Sequence, residues 1–215
     1  MPRVREVPRA EAAPEVLPLY NRLFQDRDPV AQPGTATGTK GDWWTVFALV
    51  PDLLIAGTNQ FGALSSEKRI LPRRLRELAL VRTGFAVGSK FVYSQHCKGA
   101  RNAGLSEEQI NDIPSWTTSD RFSPEERAVL AYADEMVLQH GRVQDGTFTR
   151  LHERLSDEAI VELTWSVGIY CMHAIMSRAL RLEYDDVDER LVEVPAPSGQ
   201  GGASSDIMAA IRTNA

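Results

Sequence analysis

Two residues within one short stretch carry the types that proton transfer requires. Glu77 is the lone carboxylate and His96 the lone imidazole of LPRRLRELALVRTGFAVGSKFVYSQHCKGARNAGL, residues 71–105. A carboxylate that takes a hydrogen bond from one ring nitrogen fixes the tautomer and leaves the other nitrogen as base or acid. Residues 89, 92, 93, 96 and 100 share one helix face by the i, i+3, i+4, i+7 rule, so Ser89 and Tyr93 lie on the face of His96. The same Glu and His can also tie two helices together and do nothing more. Spacing alone leaves both readings open, and the structural one is the commoner.

Thiol and metal chemistry are the rivals. Cys97 follows His96 directly, which turns its side chain about 100° away around a helix. No second cysteine stands three residues off, so the dithiol of a redox motif is absent. His96, Cys97, Cys171 and His173 do not have the spacings of a zinc site, and no metal is expected. His173 reads as a core histidine of the last helix, and His140 and His152 as surface residues.

These residues need helices to position them, and the chain supplies them. Pro72 opens a helix from Arg73 to about Phe85, broken by Gly84 and Gly88. Ser89 caps the next, which runs from Lys90 to Ala103 and ends on Gly104. Ser106–Gln109 and Ser123–Glu126 are capping boxes for two more helices. Thr147–Leu155 makes a short helix. A long one begins at Ser156 and reaches about Leu182; it is apolar on most sides, which predicts a central position. Upstream, residues 15–24 form a short helix and 26–41 a loop. Asp42 is the expected N-cap of a Trp-rich helix, followed by another that starts at Pro51. The fold class is all-α. The divisions are an N-terminal arm and loop over residues 1–41, a helical domain over 42–190 and a flexible tail over 191–215. Within the tail, Ser205 can cap a turn or two bearing Ile207, Met208 and Ile211.

Composition excludes several classes. The chain has 215 residues and a net charge of −5, which argues against an electrostatic nucleic-acid partner. The apolar runs read as too short to span a membrane, and residues 1–15 lack the apolar core of a secretory signal. Two cysteines make no disulfide framework, so both are read as reduced thiols of a cytoplasmic protein.

The stretch LPRRLRELALVRTGFAVGSKFVYSQHCKGARNAGLSEEQI resembles the carboxymuconolactone decarboxylase and alkylhydroperoxidase-D-like (AhpD-like) family. FSPEERAVLAYADEMV and RVQDGTFTRLHERLSDEAIVELTWSVGIYCMHAIMSRAL resemble it too. The likeness covers roughly residues 40–183. It implies an AhpD-like helical bundle that forms a homo-oligomer, a trimer or hexamer with a dimer as the smaller possibility. The peroxidase branch carries a Glu and a His, matched by Glu77 and His96, around a Cys-x-x-Cys pair. Ser89 and Val92 stand at the two cysteine positions here. The decarboxylase branch lacks the pair and keeps the His.

The expected activity is therefore that of a cofactor-free, carboxymuconolactone decarboxylase-like lyase acting on a small lactone or carbonyl acid. Glu77 and His96 would do the acid–base work, Ser89 or Tyr93 would hold the carbonyl, and Arg82 would pair with the substrate carboxylate. The alternatives are a peroxiredoxin-like oxidoreductase using Cys97 alone, and a silent oligomeric binding protein.

Overall fold

The computed structural model describes residues 1–184, 193 and 194. The expected tail helix around Ile207 lies outside them. The described residues hold helices and no strand. They divide into two compact units: Met1–Ser66 with residues 176–184 and 194, and Glu67–Ile175 with residue 193. This boundary differs from the division at residues 41 and 42 read from composition.

In the first unit, α1 is Leu17–Phe24, α2 is Asp42–Phe47 and α3 is Pro51–Leu64. Residues 1–15 are more than a loose arm: Val7 is buried, and the Tyr20 hydroxyl donates to the Val7 carbonyl at 2.8 Å. Trp43 packs against Trp44, Phe47 and Phe61, so the Trp-rich segment is mostly core. Asp42 is the first helical residue and not the cap, which falls on Gly41. Its carboxylate instead accepts the Glu183 backbone N–H at 2.6 Å. Glu183 caps the helix from a distance, its carboxylate accepting from the N–H groups of Gly41 and Trp43 at 3.2 and 3.3 Å. Such capping satisfies donors that a helix start leaves open.

The second unit is built around α4, Arg73–Val87. Every residue from Leu75 to Gly84 is buried, because α4 is covered on two sides. On one side Leu71, Leu75 and Ala79 pack with residues of α7 (Pro124–Leu138), α8 (Asp145–His152) and α9 (Asp157–Leu180). On the other, Leu78 and Val81 pack with Tyr93, Cys97 and Ala100 of α5 (Lys90–Asn102) and with Ile110 of α6 (Glu107–Asp112). The α4–α5 turn closes on Gly88 in a left-handed conformation, with Ser89 N–H returning to the Gly84 carbonyl at 2.9 Å. Such a turn satisfies carbonyls at the helix end. At Gly84 the two helices touch: a Cβ there would stand 2.5 Å from Tyr93 N. Both capping boxes form. Glu126 closes the second and also pairs with Arg74 at 2.8 Å, linking α7 to α4.

The central helix is thus α4 and not α9. On α9, Val161, Trp165, Met172 and Ile175 are exposed. This helix is also long and apolar enough to cross a membrane by length and composition, with a mean hydropathy of 1.4 over 18 residues, 44% of which are buried within the protein. The sequence reading of short apolar runs overlooked it, because Glu162 and the small residues break the visible run.

Candidate active site

The α4–α5 hairpin delivers Glu77 and His96 to one point. Glu77 Oε2 lies 2.8 Å from His96 Nδ1, and both side chains are buried. Gly99, one turn beyond His96 on α5, makes this possible. A Cβ at residue 99 would stand 2.9 Å from the Glu77 carboxyl carbon and overlap Oε2.

Burial pushes the Glu77 carboxyl up. The His96 hydrogen bond and the positive charges of His96, Arg76 and Arg73 outweigh it, so the net direction is down. An ionised carboxylate only accepts, so the Nδ1 that faces it carries the proton. In the neutral imidazole, Nε2 then presents its lone pair. Nε2 is buried and has no hydrogen-bond partner among the described residues. Leaving such a nitrogen unsatisfied costs free energy, of order 1–3 kcal/mol for a buried polar group. Retaining it calls for a reason.

A chain of rings from α9 and α5 begins at the imidazole. The Tyr170 ring meets the His96 ring edge to face at 4.2 Å. His173 lies 6.2 Å from Tyr170 and 5.2 Å from Phe91 between ring centroids. Burial, helped by the charge of His96, pushes the His173 imidazole down to about 3, so it stays neutral. Sequence reasoning missed Tyr170 as a neighbour of His96. Its spacing of three from His173 was the available signal, since i and i+3 share a face.

The other predicted site residues lie elsewhere. The Ser89 hydroxyl is fully buried and accepts from Val92 N–H at 3.1 Å as the α5 cap. Tyr93 and Cys97 belong to the apolar cluster between α4, α5 and α6, where their side chains share a hydrogen bond. The Arg82 guanidinium is bound twice by the Asp134 carboxylate and donates to the carbonyls of Ile113 and Pro114 at 3.3 and 2.9 Å. Five residues from Glu77, it points about 140° around the helix from it. The structure therefore unites Glu77 with His96, while Ser89 caps α5, Tyr93 engages Cys97 and Arg82 is held by Asp134.

Cys97 lacks the surroundings of a reactive thiol. It is fully buried, and burial first, then the negative charge of Glu193, push its thiol up to about 12. A nucleophilic cysteine needs the opposite shift. Both cysteines are free thiols. Among the described residues, no group of three or more His, Cys, Asp or Glu converges as metal ligands would.

Comparison with known proteins bears on the same segment. Residues 54–135 match the model of the carboxymuconolactone decarboxylase family, a span that includes Glu77 and His96. The uncharacterized protein YdfG of Bacillus subtilis (strain 168) is 33% identical over 92 residues, 42% of this chain. That match spans 63% of the relative, less than two thirds of its length. A solved protein of unknown function from Agrobacterium tumefaciens, whose name links it to the antioxidant defence protein AhpD, is 26% identical. It superposes with a TM-score of 0.59 over 63% of this chain and 92% of its own. The debrominase Bmp8, in a cysteine-to-alanine variant complexed with 2,3,4-tribromopyrrole, is 19% identical with a TM-score of 0.66. That match covers 96% of this chain and 97% of its own, and at this identity it speaks to the fold alone.

Proposed function

We propose, from the match of residues 54–135 to the carboxymuconolactone decarboxylase family and from the geometry of the site, that this chain is an acid–base enzyme acting on a small lactone or carbonyl acid. One observation carries the reading: the buried Glu77–His96 hydrogen bond, with Nε2 left without a protein partner among the described residues. A merely structural pair would satisfy both ring nitrogens or leave the second in water.

In the proposed step, the bond between the substrate's carboxylate and its α-carbon breaks. The electron pair moves into the conjugated carbonyl system and carbon dioxide leaves. Imidazolium His96 then delivers the Nε2 proton to carbon and regains one from water. Glu77 stabilises the imidazolium and holds its ring orientation. A positioned acid of this kind contributes typically 10²–10⁴-fold. The neighbouring Tyr170 ring and the neutral His173, which packs on Phe91, favour a flat, conjugated substrate.

The experiment is release of carbon dioxide from a panel of unsaturated lactone acids by wild type, His96→Ala and Glu77→Gln. The expected result is loss of turnover in His96→Ala, by about 10²-fold or more. Equal turnover of the wild type and His96→Ala removes His96 from the reaction.

The peroxidase alternative through Cys97 draws support from the family resemblance only, and the buried, raised thiol weighs against it. A second copy of the chain is the proposed partner. Its support is the exposed stripe Val161, Trp165, Gly168, Met172 and Ile175 on α9, which alternates four- and three-residue steps as helix-pairing seams do.

A further inference from the structure

A cavity of about 350 Å³ opens in the second unit between the turn bearing Trp116, α7 and the end of α8. None of its lining residues comes from α4 or α5, so it is separate from Glu77 and His96. Its lining holds three arginines, Arg127, Arg150 and Arg154, against one carboxylate, Glu153. In a chain of net charge −5, that is a local reversal of sign.

The arginines are held differently. Arg127 is fixed: it donates to the carbonyls of Trp116, Thr117 and Ser119 at 3.3, 3.1 and 2.6 Å, and its guanidinium lies 5.4 Å from the Trp116 ring centroid. Arg150 and Arg154 are four residues apart, both exposed, and neither forms an ion pair with another described residue. Like charges at this spacing repel, and an anion between them relieves that repulsion. Asp134, whose carboxylate accepts from Trp116 Nε1 at 2.9 Å, is already neutralised by Arg82. Thr147, whose hydroxyl donates to Glu135 at 2.8 Å, also lines the cavity, and the remaining wall is apolar, with Pro124, Ala128 and Ala131 beside the half-buried Trp116 ring.

We propose that this cavity is a second binding site, for a small aromatic carboxylate. Arg150 and Arg154 would take the carboxylate, since guanidinium groups match its geometry with paired hydrogen bonds. The ring would lie on Trp116 and the alanines. The volume falls in the range of small-molecule sites, roughly 300–1,000 Å³, and suits one ring with its acid group. The cavity and its arginines stand independently of the reaction proposed at His96.

The test is calorimetric titration of the intact protein with benzoate, its neutral isostere benzamide, and inorganic phosphate. Benzoate is expected to bind at least tenfold more tightly than either. The Arg150→Gln/Arg154→Gln double variant should weaken benzoate at least tenfold with an unchanged melting temperature, since both side chains are exposed. Binding to His96→Ala should match wild type. Equal binding of benzamide, equal binding of phosphate, undiminished benzoate binding in the double variant, loss of binding in His96→Ala, or no benzoate binding at millimolar concentration would each overturn the assignment.

Discussion

Gly99 leaves the space that the Glu77 carboxylate occupies: a methyl group at residue 99 and Oε2 of residue 77 cannot coexist as placed. The hydrogen bond to His96 depends on that space as much as on its own donor and acceptor. Gly99→Ala should therefore displace the carboxylate while improving helix propensity. The expected outcome is a loss of turnover of about 100-fold, the scale of an ångström-sized misplacement, with a small change in melting temperature. The Nδ1–H proton resonance of His96 should shift upfield in the same variant. An unmoved resonance would show that the carboxylate had found the same bond by another path.

The acid side of the stability curve should have two parts. His173 is held well below its unfolded value of 6.5, at about 3. Between those limits the unfolded chain binds more protons, so the His173 contribution is complete above pH 6.5 and is lost progressively as pH falls toward 3. Glu77 is held below its ordinary 4.5. Its contribution is present above 4.5 and is lost as pH falls through the lowered folded value. His173→Phe should flatten the limb between pH 6.5 and 4.5, and Glu77→Gln only the limb below it. Urea unfolding at half-unit steps of pH separates them, at about 1.4 kcal/mol for each tenfold difference in proton affinity between folded and unfolded chains.

Glu183 should act in the other direction. Burial, reinforced by the nearby Asp42 charge, raises its carboxyl to about 8. A group raised on folding contributes fully below its unfolded value of 4.5, and that contribution is lost as pH rises through 8. Glu183→Gln removes the charge but keeps only one acceptor oxygen, where the wild type offers one each to the Gly41 and Trp43 N–H groups. Its stability relative to wild type should rise from pH 4.5 to pH 8.5, by thermal unfolding at the two values.

Alkylation should distinguish the two thiols. Cys171 is half-buried and Cys97 fully so. In the folded protein at pH 8, iodoacetamide should modify Cys171 first, with Cys97 protected until unfolding. Peptide mass mapping reads the order. Rapid labelling of Cys97 would revive the peroxidase alternative.

Trp165→Glu tests the proposed pairing of chains. The side chain is 51% exposed, so the fold of one chain should tolerate the change. Sedimentation velocity should show a smaller assembly than wild type at equal concentration. An unchanged sedimentation coefficient would place any interface elsewhere.

Most of the helices were legible because their ends carry local chemistry. Ser89, Ser106 and Ser123 each accept the backbone N–H three residues on, and that spacing is written in the sequence. Asp42 had the same appearance, yet its carboxylate serves Glu183, 141 residues away, and no local pattern carries such a partner. The Glu77–His96 pairing was suggested by residue types, but its 2.8 Å contact needed Gly99, whose role appears only once two helices are packed. Arg82 and Tyr93 had side chains suited to a substrate and a periodicity that left both roles open. Asp134 and Cys97 are what engage them. For α9, a run of apolar residues gave no sign of which face stays in water.

The close approach at Gly84 bears on when the geometry of the Glu77–His96 pair is settled. With Tyr93 N against that backbone and a tight Gly88–Ser89 turn joining the helices, the hairpin has little freedom to open or shut. The alignment of carboxylate and imidazole is thereby fixed as the chain folds, before any ligand arrives. Any rearrangement that admits a ligand to the buried Nε2 then falls to the elements around the hairpin, and the pair itself stays in register.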